Sequence, residues 1–274
     1  MSQFQVLPEH EVKDFNQPPK FNKQERMTVF SLDTRTKKIL KGLKRNKPEN
    51  EVGFMLQLGY FKATRKFFTA DKFRNADIYY IAELLEVKVT AKSLKDNYRD
   101  KTRTNHTIKI LDFLGYESWT HYEDLISERV IDLVAKQLHP KQILLAVIDM
   151  LDEKKVSTPS YDYFCKIITM HYRSFEQKLL FKLKSTISEK HKMALDDLLF
   201  DGNHNQRKLL TNLKTICQST AKVKIRRSLH KFLILKRIYE EIKELIAELD
   251  LSPEAIKYYL YGRFVQNLQS DPYL

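Results

Sequence analysis

The chain contains few of the residues that interrupt helices or form tight turns. Only 6 of its 274 residues are glycine and only 8 are proline. Glycine supplies the positive φ angles of tight turns, and proline breaks helices and interior strands. Their scarcity favours long helices joined by short connections. The sequence therefore predicts an all-α fold made of consecutive small helical domains.

Cysteine and long apolar runs are scarce as well. The two cysteines, Cys165 and Cys217, are far apart and lack metal-ligand spacing, so neither a disulfide framework nor a zinc site is indicated. The longest apolar run, Ile143–Ile148, is far shorter than the ~20 residues that span a bilayer. The N-terminal residues show no basic-then-apolar signal pattern. We expect a cytoplasmic protein with no membrane partner.

Acidic residues are too few to balance the basic ones. Lysine and arginine total 48 against 35 aspartates and glutamates, a net charge of +13. The excess lies towards the N-terminus, where residues 1–110 carry 23 basic and 13 acidic side chains, a net charge of +10. Such a distribution indicates a polyanionic partner, with nucleic acid favoured over membrane.

Recognisable catalytic patterns are missing too. The sequence has no P-loop, no dinucleotide-binding glycine pattern and no paired histidines on one helical face. The carboxylates of Asp196 and Asp197 are adjacent, and adjacent helical side chains point about 100° apart, so they converge poorly on a metal ion. We expect no catalytic residue, no metal site and no cofactor in this chain.

The most informative stretch that is present is Ser93–Tyr116. As one continuous helix capped by Ser93, it has a polar face opposite an apolar face. The polar face carries Tyr98, Lys101, Thr102, Asn105 and Lys109, and the apolar face carries Thr107, Ile108, Ile110, Leu111 and Leu114. Arg99, Arg103 and His106 lie along one flank. With the preceding helix Asn75–Leu85, this stretch has the outline of a helix-turn-helix.

A second helix-turn-helix outline follows, with a tighter turn. It consists of the helix Lys141–Asp152, the turn Glu153–Ser157 and a helix capped by Thr158. Its outward-facing candidates are Ser160, Tyr161, Tyr163 and Lys166. The predicted domains are 1–118, built on a core helix Val52–Phe68, then 119–200, and a helical segment 201–274.

Several segments, taken in order, resemble the N-terminal region of Tn3-family transposases. They are Pro18–Phe21, Glu25–Arg26, Gly53–Phe68, Tyr98–Tyr116 and Leu195–Leu199. Tyr98, Thr102, Arg103 and His106 match the family's pattern, and Lys101 stands where an arginine or a glutamine is common. The resemblance spans about residues 8–270 and weakens after residue 200.

The resemblance implies a role in DNA transposition and recombination. Such transposases bind the terminal inverted repeats of their transposable element through N-terminal helical domains. A larger C-terminal part holds a ribonuclease-H-like core with an Asp-Asp-Glu triad and Mg²⁺. We therefore expect this chain to be the non-catalytic N-terminal part of such a protein, associated with the bacterial nucleoid. Mg²⁺ is expected only in the catalytic part.

The candidate DNA contacts divide into two groups. The candidate phosphate contacts are Arg35, Lys37, Lys38, Arg65, Lys66, Arg99 and His106. The candidate base readers are Tyr98, Lys101, Thr102, Arg103 and Asn105, with Lys109 on the same face. Arginine–guanine and asparagine–adenine pairs suit a major groove.

Two other functions remain open. One is a helical assembly module, which would bind another copy or the catalytic part through apolar stripes after residue 201, including Leu209, Leu213, Leu229 and Leu233. The other is RNA binding, which is weaker because no RNA-recognition motif is present.

Overall fold

The computed structural model describes residues 5–43, 47–193 and 222–249. Within these ranges the fold is all-α, as predicted, and the only β-type pairing is an isolated parallel bridge between Glu117 and Val156. None of the helices described is long and apolar enough to cross a membrane. The described α-helices before residue 187 are α1 (Glu9–Phe15), α2 (Lys23–Val29), α3 (Thr34–Gly42), α4 (Pro48–Thr64), α5 (Asn75–Leu84), α6 (Ala91–Asn97), α7 (Asp100–Leu114), α8 (Glu123–Ala135), α9 (Pro140–Glu153) and α10 (Tyr161–Thr186). A C-terminal helix spans Lys222–Leu249.

Contacts divide the chain into two compact units, and the division differs from the predicted domains. The first unit comprises residues 1–134 and 138–171, and the second comprises 135–137 and 172–274. The boundary predicted near residue 118 falls inside the first unit because backbone hydrogen bonds cross it. The N–H of Glu117 donates to the carbonyl of Lys155, and the N–H of Thr158 donates to the carbonyl of Arg65, at 2.9 and 2.8 Å. The predicted domain 201–274 is described only over 222–249.

Helix α4 is the centre of the first unit. Pro48 occupies its first turn together with Glu49 and Glu51, a combination that suits a helix N-terminus. All ten residues from Val52 to Phe61 are buried, so the helix is covered on every side. It packs against α2, α5, α6 and α7. It ends at Thr64, earlier than predicted, because Arg65 adopts a left-handed conformation with φ 59°.

Two apolar clusters share α4. One contains Val52, Met55, Leu56 and Tyr60 of α4 together with residues of α5 and α6. The other joins Phe54, Leu58 and Phe61 of α4 to Leu43, Ile110 and Leu111, with Ile39 and Leu40 of α3 packed against them. Helices α3 and α7 therefore rest on the same apolar cluster.

Two buried polar side chains of the core have their hydrogen bonds satisfied. Gln57 donates from Nε2 to the carbonyl of Phe68 at 2.6 Å and accepts from the N–H of Phe68 at 3.2 Å. Asp77 accepts from Arg26 Nε at 2.6 Å and from the Tyr60 hydroxyl at 2.8 Å. The Gln57 bonds join α4 to Phe68, which follows the end of the helix. The Asp77 bonds join α5 to α2 and to α4. A buried polar group without such partners costs about 1–3 kcal/mol.

The helix predicted over Ser93–Tyr116 is two helices, α6 and α7. The backbone leaves the helical conformation at Tyr98 and Arg99, whose ψ angles are 79° and 158°. The predicted cap is also wrong, because Thr90 caps α6. The Thr90 hydroxyl accepts from the N–H of Ser93 at 3.1 Å, and the Ser93 hydroxyl accepts from the N–H of Thr90 at 3.2 Å.

The break exists because Tyr98 turns into the core and lies against a glycine of α4. A Cβ added at Gly53 would meet the Tyr98 ring at 2.6 Å. Gly59 is a second close approach, since a Cβ there would meet the ring of Phe30 at 2.2 Å. At both positions the missing Cβ lets an aromatic ring pack directly against the backbone of α4.

The second helix-turn-helix outline is present as α9 and α10. Helix α10 begins at Tyr161, later than predicted, and the hydroxyl of Ser160, not that of Thr158, accepts from the N–H of Tyr163 at 3.3 Å. Helix α10 ends at Thr186.

Replacing Gly59 by alanine is expected to lower the free energy of unfolding by about 1–3 kcal/mol, because the added methyl group overlaps the Phe30 ring. Gly42→Ala is the matched control, since its added Cβ meets no described atom within 4 Å. That substitution is expected to be neutral or to stabilise by up to about 1 kcal/mol. Chemical denaturation curves measure both changes, and equal destabilisation by the two variants would contradict the close-contact explanation.

Candidate nucleic-acid interface

The solvent-facing side of α7 differs from the face that a continuous helix predicts. Its exposed residues between positions 101 and 109 are Lys101, Thr104, Asn105, Ile108 and Lys109. These five residues are called the α7 face below. Ile108 was expected in the core and is 61% exposed, whereas Ile110 and Leu111 are buried as predicted. At 100° per residue Ile108 and Ile110 lie about 200° apart around the axis of α7, so the packing that buries Ile110 turns Ile108 towards solvent.

The prediction that Tyr98 and His106 face DNA is wrong. Both residues are buried, each with 3% of its surface exposed. The Tyr98 hydroxyl and His106 Nδ1 are hydrogen-bonded at 3.0 Å, and the His106 ring meets the Phe54 ring edge-on, with centroids 5.2 Å apart. This Tyr98–His106 pair supports α7 from beneath.

Burial also determines the charge of this pair. It lowers the pKa of His106 to about 4, with a further contribution from the positive charge of Lys109. It raises the pKa of Tyr98 well above its usual value. Both side chains are therefore neutral at pH 7, and neither is placed to bind a phosphate.

Thr102 and Arg103 lie at the edge of α7 and are only partly exposed. The Arg103 side chain is 28% exposed, and its Nη2 lies 3.1 Å from Asp100 Oδ1. The Asp100 side chain is itself 90% exposed, so the charge of Arg103 is partly balanced by an acid of the same helix. Arg99, which precedes α7, is exposed as predicted.

Arg65 was predicted to contact phosphate, but it is engaged within the first unit. Its Nε lies 2.8 Å from Asp152 Oδ1, and its guanidinium carbon lies 5.2 Å from the centre of the Tyr116 ring. It also donates to the carbonyls of Phe61 and Lys62. These contacts join the end of α4 to the end of α9.

Lys66 is engaged in a similar way. Its Nζ donates to the carbonyl of Phe15 at 2.5 Å and lies 3.6 Å from the centre of the Phe15 ring. Burial lowers the pKa of Lys66 to about 8, and the positive charge of Lys72 contributes to this shift. The prediction that Lys66 is free to bind a phosphate is therefore corrected.

The basic residues predicted on α3 are accessible. Arg35, Lys37 and Lys38 are all exposed. Asp33 caps the helix, because its Oδ1 accepts from the N–H of Thr36 at 2.6 Å, and this bond lowers the pKa of Asp33. The cations of α3 are therefore carried by a capped helix that rests on the same cluster as α7.

Two accessible cations were missed by the sequence analysis. Lys92 and Lys95 of α6 are exposed, three residues apart, with Leu94 fully buried between them. A helix begun at Ser93 leaves Lys92 outside it and gives no reason to single out Lys95. The capping pair of Thr90 and Ser93 was the available signal, because it places both lysines within α6.

Residues 6–170 match the profile of a family described as "Domain of unknown function (DUF4158)". The chain belongs to the DUF4158 family. The match covers 165 of the 274 residues and ends within one residue of the end of the first unit at 171. No curated protein matches the chain.

Within the DUF4158 domain, the second helix-turn-helix exposes only part of its predicted face. Ser160 and Lys166 are exposed. Tyr161 is 8% exposed, and its hydroxyl accepts from the N–H of Leu7 at 3.1 Å, so its predicted exposure is wrong. Tyr163 is half-buried, with its ring centroid 4.6 Å from that of Trp119.

The described part of the chain contains no group of three histidine, cysteine, aspartate or glutamate side chains placed to hold a metal ion. Cys165 is buried. Asp196, Asp197 and Cys217 lie outside the described residues.

The low pKa of His106 predicts a specific pH dependence of stability. An unfolded histidine has a pKa of about 6.5, so the unfolded chain binds more protons than the folded one between about pH 6.5 and pH 4. Stability is therefore lost as the pH falls through this window. In His106→Gln, the decrease in unfolding free energy from pH 7 to pH 4.5 is expected to be smaller by about 2 kcal/mol.

Urea denaturation at a series of pH values measures this difference. His10→Gln is the control, because the His10 side chain is 78% exposed, and it should keep the pH dependence of the unchanged protein. Parallel curves for His106→Gln and the unchanged protein would contradict the role of His106.

Proposed function

We propose that the DUF4158 domain of this chain binds double-stranded DNA in a sequence-specific way. In this proposal it recognises transposon terminal inverted repeats, as the non-catalytic N-terminal part of a Tn3-family transposase. The observation that carries the proposal is the α7 face, an exposed helix surface with two cations, an amide and no acid between positions 101 and 109. The sequence resemblance supports the biological setting.

The dimensions of the α7 face suit a major groove. At a rise of 1.5 Å per residue, Lys101 and Lys109 are separated by about 12 Å along the helix, a length of three to four base pairs. Lys101, Asn105 and Lys109 form one row at four-residue spacing, and Thr104 and Ile108 form the next. Asparagine can bond adenine through two hydrogen bonds, and lysine can bond guanine.

The cations outside the α7 face would supply phosphate contacts. Lys92, Lys95 and Arg99 lie on or just after α6, and Arg35, Lys37 and Lys38 lie on α3. All six are exposed. Phosphate contacts position a protein on the duplex, whereas base-edge contacts specify the sequence. The first unit offers side chains suited to both tasks.

The support beneath α7 favours a rigid reading surface. The Tyr98–His106 pair, Ile110 and Leu111 are all buried and fix α7 on α4. A preformed surface loses less conformational entropy on binding than a mobile one. This anchoring is consistent with a helix that recognises a fixed pattern of base edges.

The proposal predicts that the cations contribute differently to DNA binding. Lys38→Ala should weaken binding to all duplexes. It should also reduce the magnitude of the slope of log affinity against log salt by about one, because one phosphate contact is lost. Lys66→Gln should leave that slope unchanged, because its ammonium group is held at Phe15. Fluorescence anisotropy with the terminal inverted repeat beside the gene, over a range of salt concentrations, measures both slopes.

A random duplex of equal length is the control, and circular dichroism checks that each variant is folded. Equal affinity for the repeat and the random duplex at moderate salt would refute sequence-specific binding. If Lys66→Gln reduced the steepness of the salt dependence more than Lys38→Ala did, the division of the cations into exposed and engaged groups would be wrong.

A second candidate function concerns the C-terminal helix, Lys222–Leu249, in the second unit. Its exposed apolar residues are Val223, Ile225, Leu229, Phe232, Leu233, Leu235 and Tyr239. Ile225, Leu229 and Phe232 are spaced by four and three residues, and Tyr239 follows Phe232 by seven, as in a coiled-coil seam that carries Lys236 at the position between them. This pattern supports the alternative of a helical assembly module. Leu209 and Leu213, which were also predicted to contribute, lie outside the described residues.

If this helix mediates self-association, the double substitution Leu229→Glu and Phe232→Glu should shift the chain towards monomer, because charge in an apolar seam is costly. We expect at least a tenfold increase in the dissociation constant, measured by analytical ultracentrifugation. Met27→Glu is the control, since Met27 is 59% exposed on a helix of the first unit. A monomeric unchanged protein, or equal effects of both variants, would argue against self-association.

A further inference from the structure

We infer that Ile108 and Thr104 are specificity-determining residues that contact the C5-methyl groups of thymines in the major groove. The inference rests on the proposed DNA-binding function and goes beyond it, because it names the bases that part of the α7 face would recognise.

Ile108 is an apolar side chain on the solvent-facing side of α7. At 61% exposure it is the most exposed large apolar residue among those described in the first unit. Its neighbours on α7 at positions 105 and 109 are Asn105 and Lys109, both exposed and polar. Burial of an apolar side chain is favourable in proportion to the apolar area removed from water, and most of the Ile108 side chain remains in water in the isolated domain. A ligand that covers Ile108 would remove that area from water.

Thr104 presents a second, smaller apolar group. Its hydroxyl donates to the carbonyl of Asp100 at 3.0 Å within α7. Because the hydroxyl is already hydrogen-bonded, the γ-methyl group is the part of the exposed side chain that remains for a ligand. Thr104 and Ile108 are one helical turn apart, about 6 Å along the axis. That distance matches groups on bases about two steps apart in a duplex.

The surroundings of this apolar pair favour DNA over a protein partner. Specific protein interfaces bury about 800 Å² on each side, and two small apolar groups among Lys101, Asn105 and Lys109 cannot provide an apolar centre of that size. The exposed acids Asp100 and Asp112 lie one turn before Thr104 and one turn after Ile108, whereas the adjacent row of Lys101, Asn105 and Lys109 carries no acid. The two cations of that row, beside a small apolar spot, complement a polyanion with isolated apolar groups. In the major groove the thymine methyl is the apolar group that a base pair presents, and threonine methyl groups and other apolar side chains contact it.

The test begins by selecting duplexes with the full chain from a random library. Each thymine of the enriched site is then replaced by deoxyuridine, which removes only the C5-methyl group. We expect replacement at two positions to weaken binding of the unchanged protein, each about fourfold, the factor that corresponds to burying one methyl-sized group.

Variants connect that methyl group to the two side chains. In Ile108→Ala, replacing thymine by deoxyuridine at one of these positions should no longer weaken binding, because the side chain that contacts the thymine methyl group is gone. Thr104→Ser should abolish the loss at a second position, whereas Thr104→Val keeps the methyl group and should retain it. Met27→Ala is the matched control, with a residue 59% exposed on α2, and should behave like the unchanged protein.

Three results would overturn the inference while leaving the proposed function intact. The enriched site could contain no thymine, deoxyuridine could be tolerated at every position, or the losses could persist in Ile108→Ala and Thr104→Ser. Failure of the proposed function is distinguishable, because no sequence would then be enriched by the unchanged protein. Thermal unfolding of each variant confirms that it is folded, which is expected at exposed positions.

Discussion

The packing of the Tyr98 ring against Gly53 is the contact on which the rest of the first unit depends. A glycine allows the ring to approach α4 closely, since a Cβ at that position would lie 2.6 Å from it. To reach this site the chain turns inward at Tyr98, and this turn ends α6. The hydrogen bond between the Tyr98 hydroxyl and His106 then helps to hold α7 in a defined rotation. Together with the burial of Ile110 and Leu111 against α4, this contact determines which side of α7 faces solvent.

Burial separates the cations of this basic chain into two groups. Arg65 and Lys66 are held by Asp152, Tyr116 and Phe15, and they join α4 to distant parts of the first unit. Other cations, such as those of α3 and the α7 face, are exposed. Because net charge does not distinguish these groups, a count of basic residues overstates the number available to a polyanion. In the proposed DNA-binding function, the second group alone would set the salt dependence.

The two compact units suggest a division of roles. The DUF4158 match ends at residue 170, next to the end of the first unit, so the family corresponds to a structural unit. The proposed DNA contacts lie within it. The C-terminal helix lies in the second unit and exposes apolar residues at heptad spacing. DNA recognition and assembly are therefore compatible proposals for different parts of one chain.

Local patterns in the sequence were sufficient to determine the helical class and several helices. The helical patterns of α5 and α9 predicted their type and approximate extent, and Arg35, Lys37 and Lys38, predicted as phosphate contacts, are exposed on α3. Helical periodicity is a property of neighbouring residues, so it can be read without knowledge of the fold.

The tertiary structure alone decided the break at Tyr98, the engagement of Lys66 and the exposure of Ile108. Each depends on a contact between residues distant in sequence: Tyr98 with Gly53, Lys66 with Phe15, and α7 with α4. A periodic pattern assumes an uninterrupted helix, and nothing local to Ser93–Tyr116 shows that an aromatic ring will pack on a glycine some 45 positions earlier. The candidate residues of α7 could therefore be located by sequence, but the face they present could not, because packing on α4 sets its rotation.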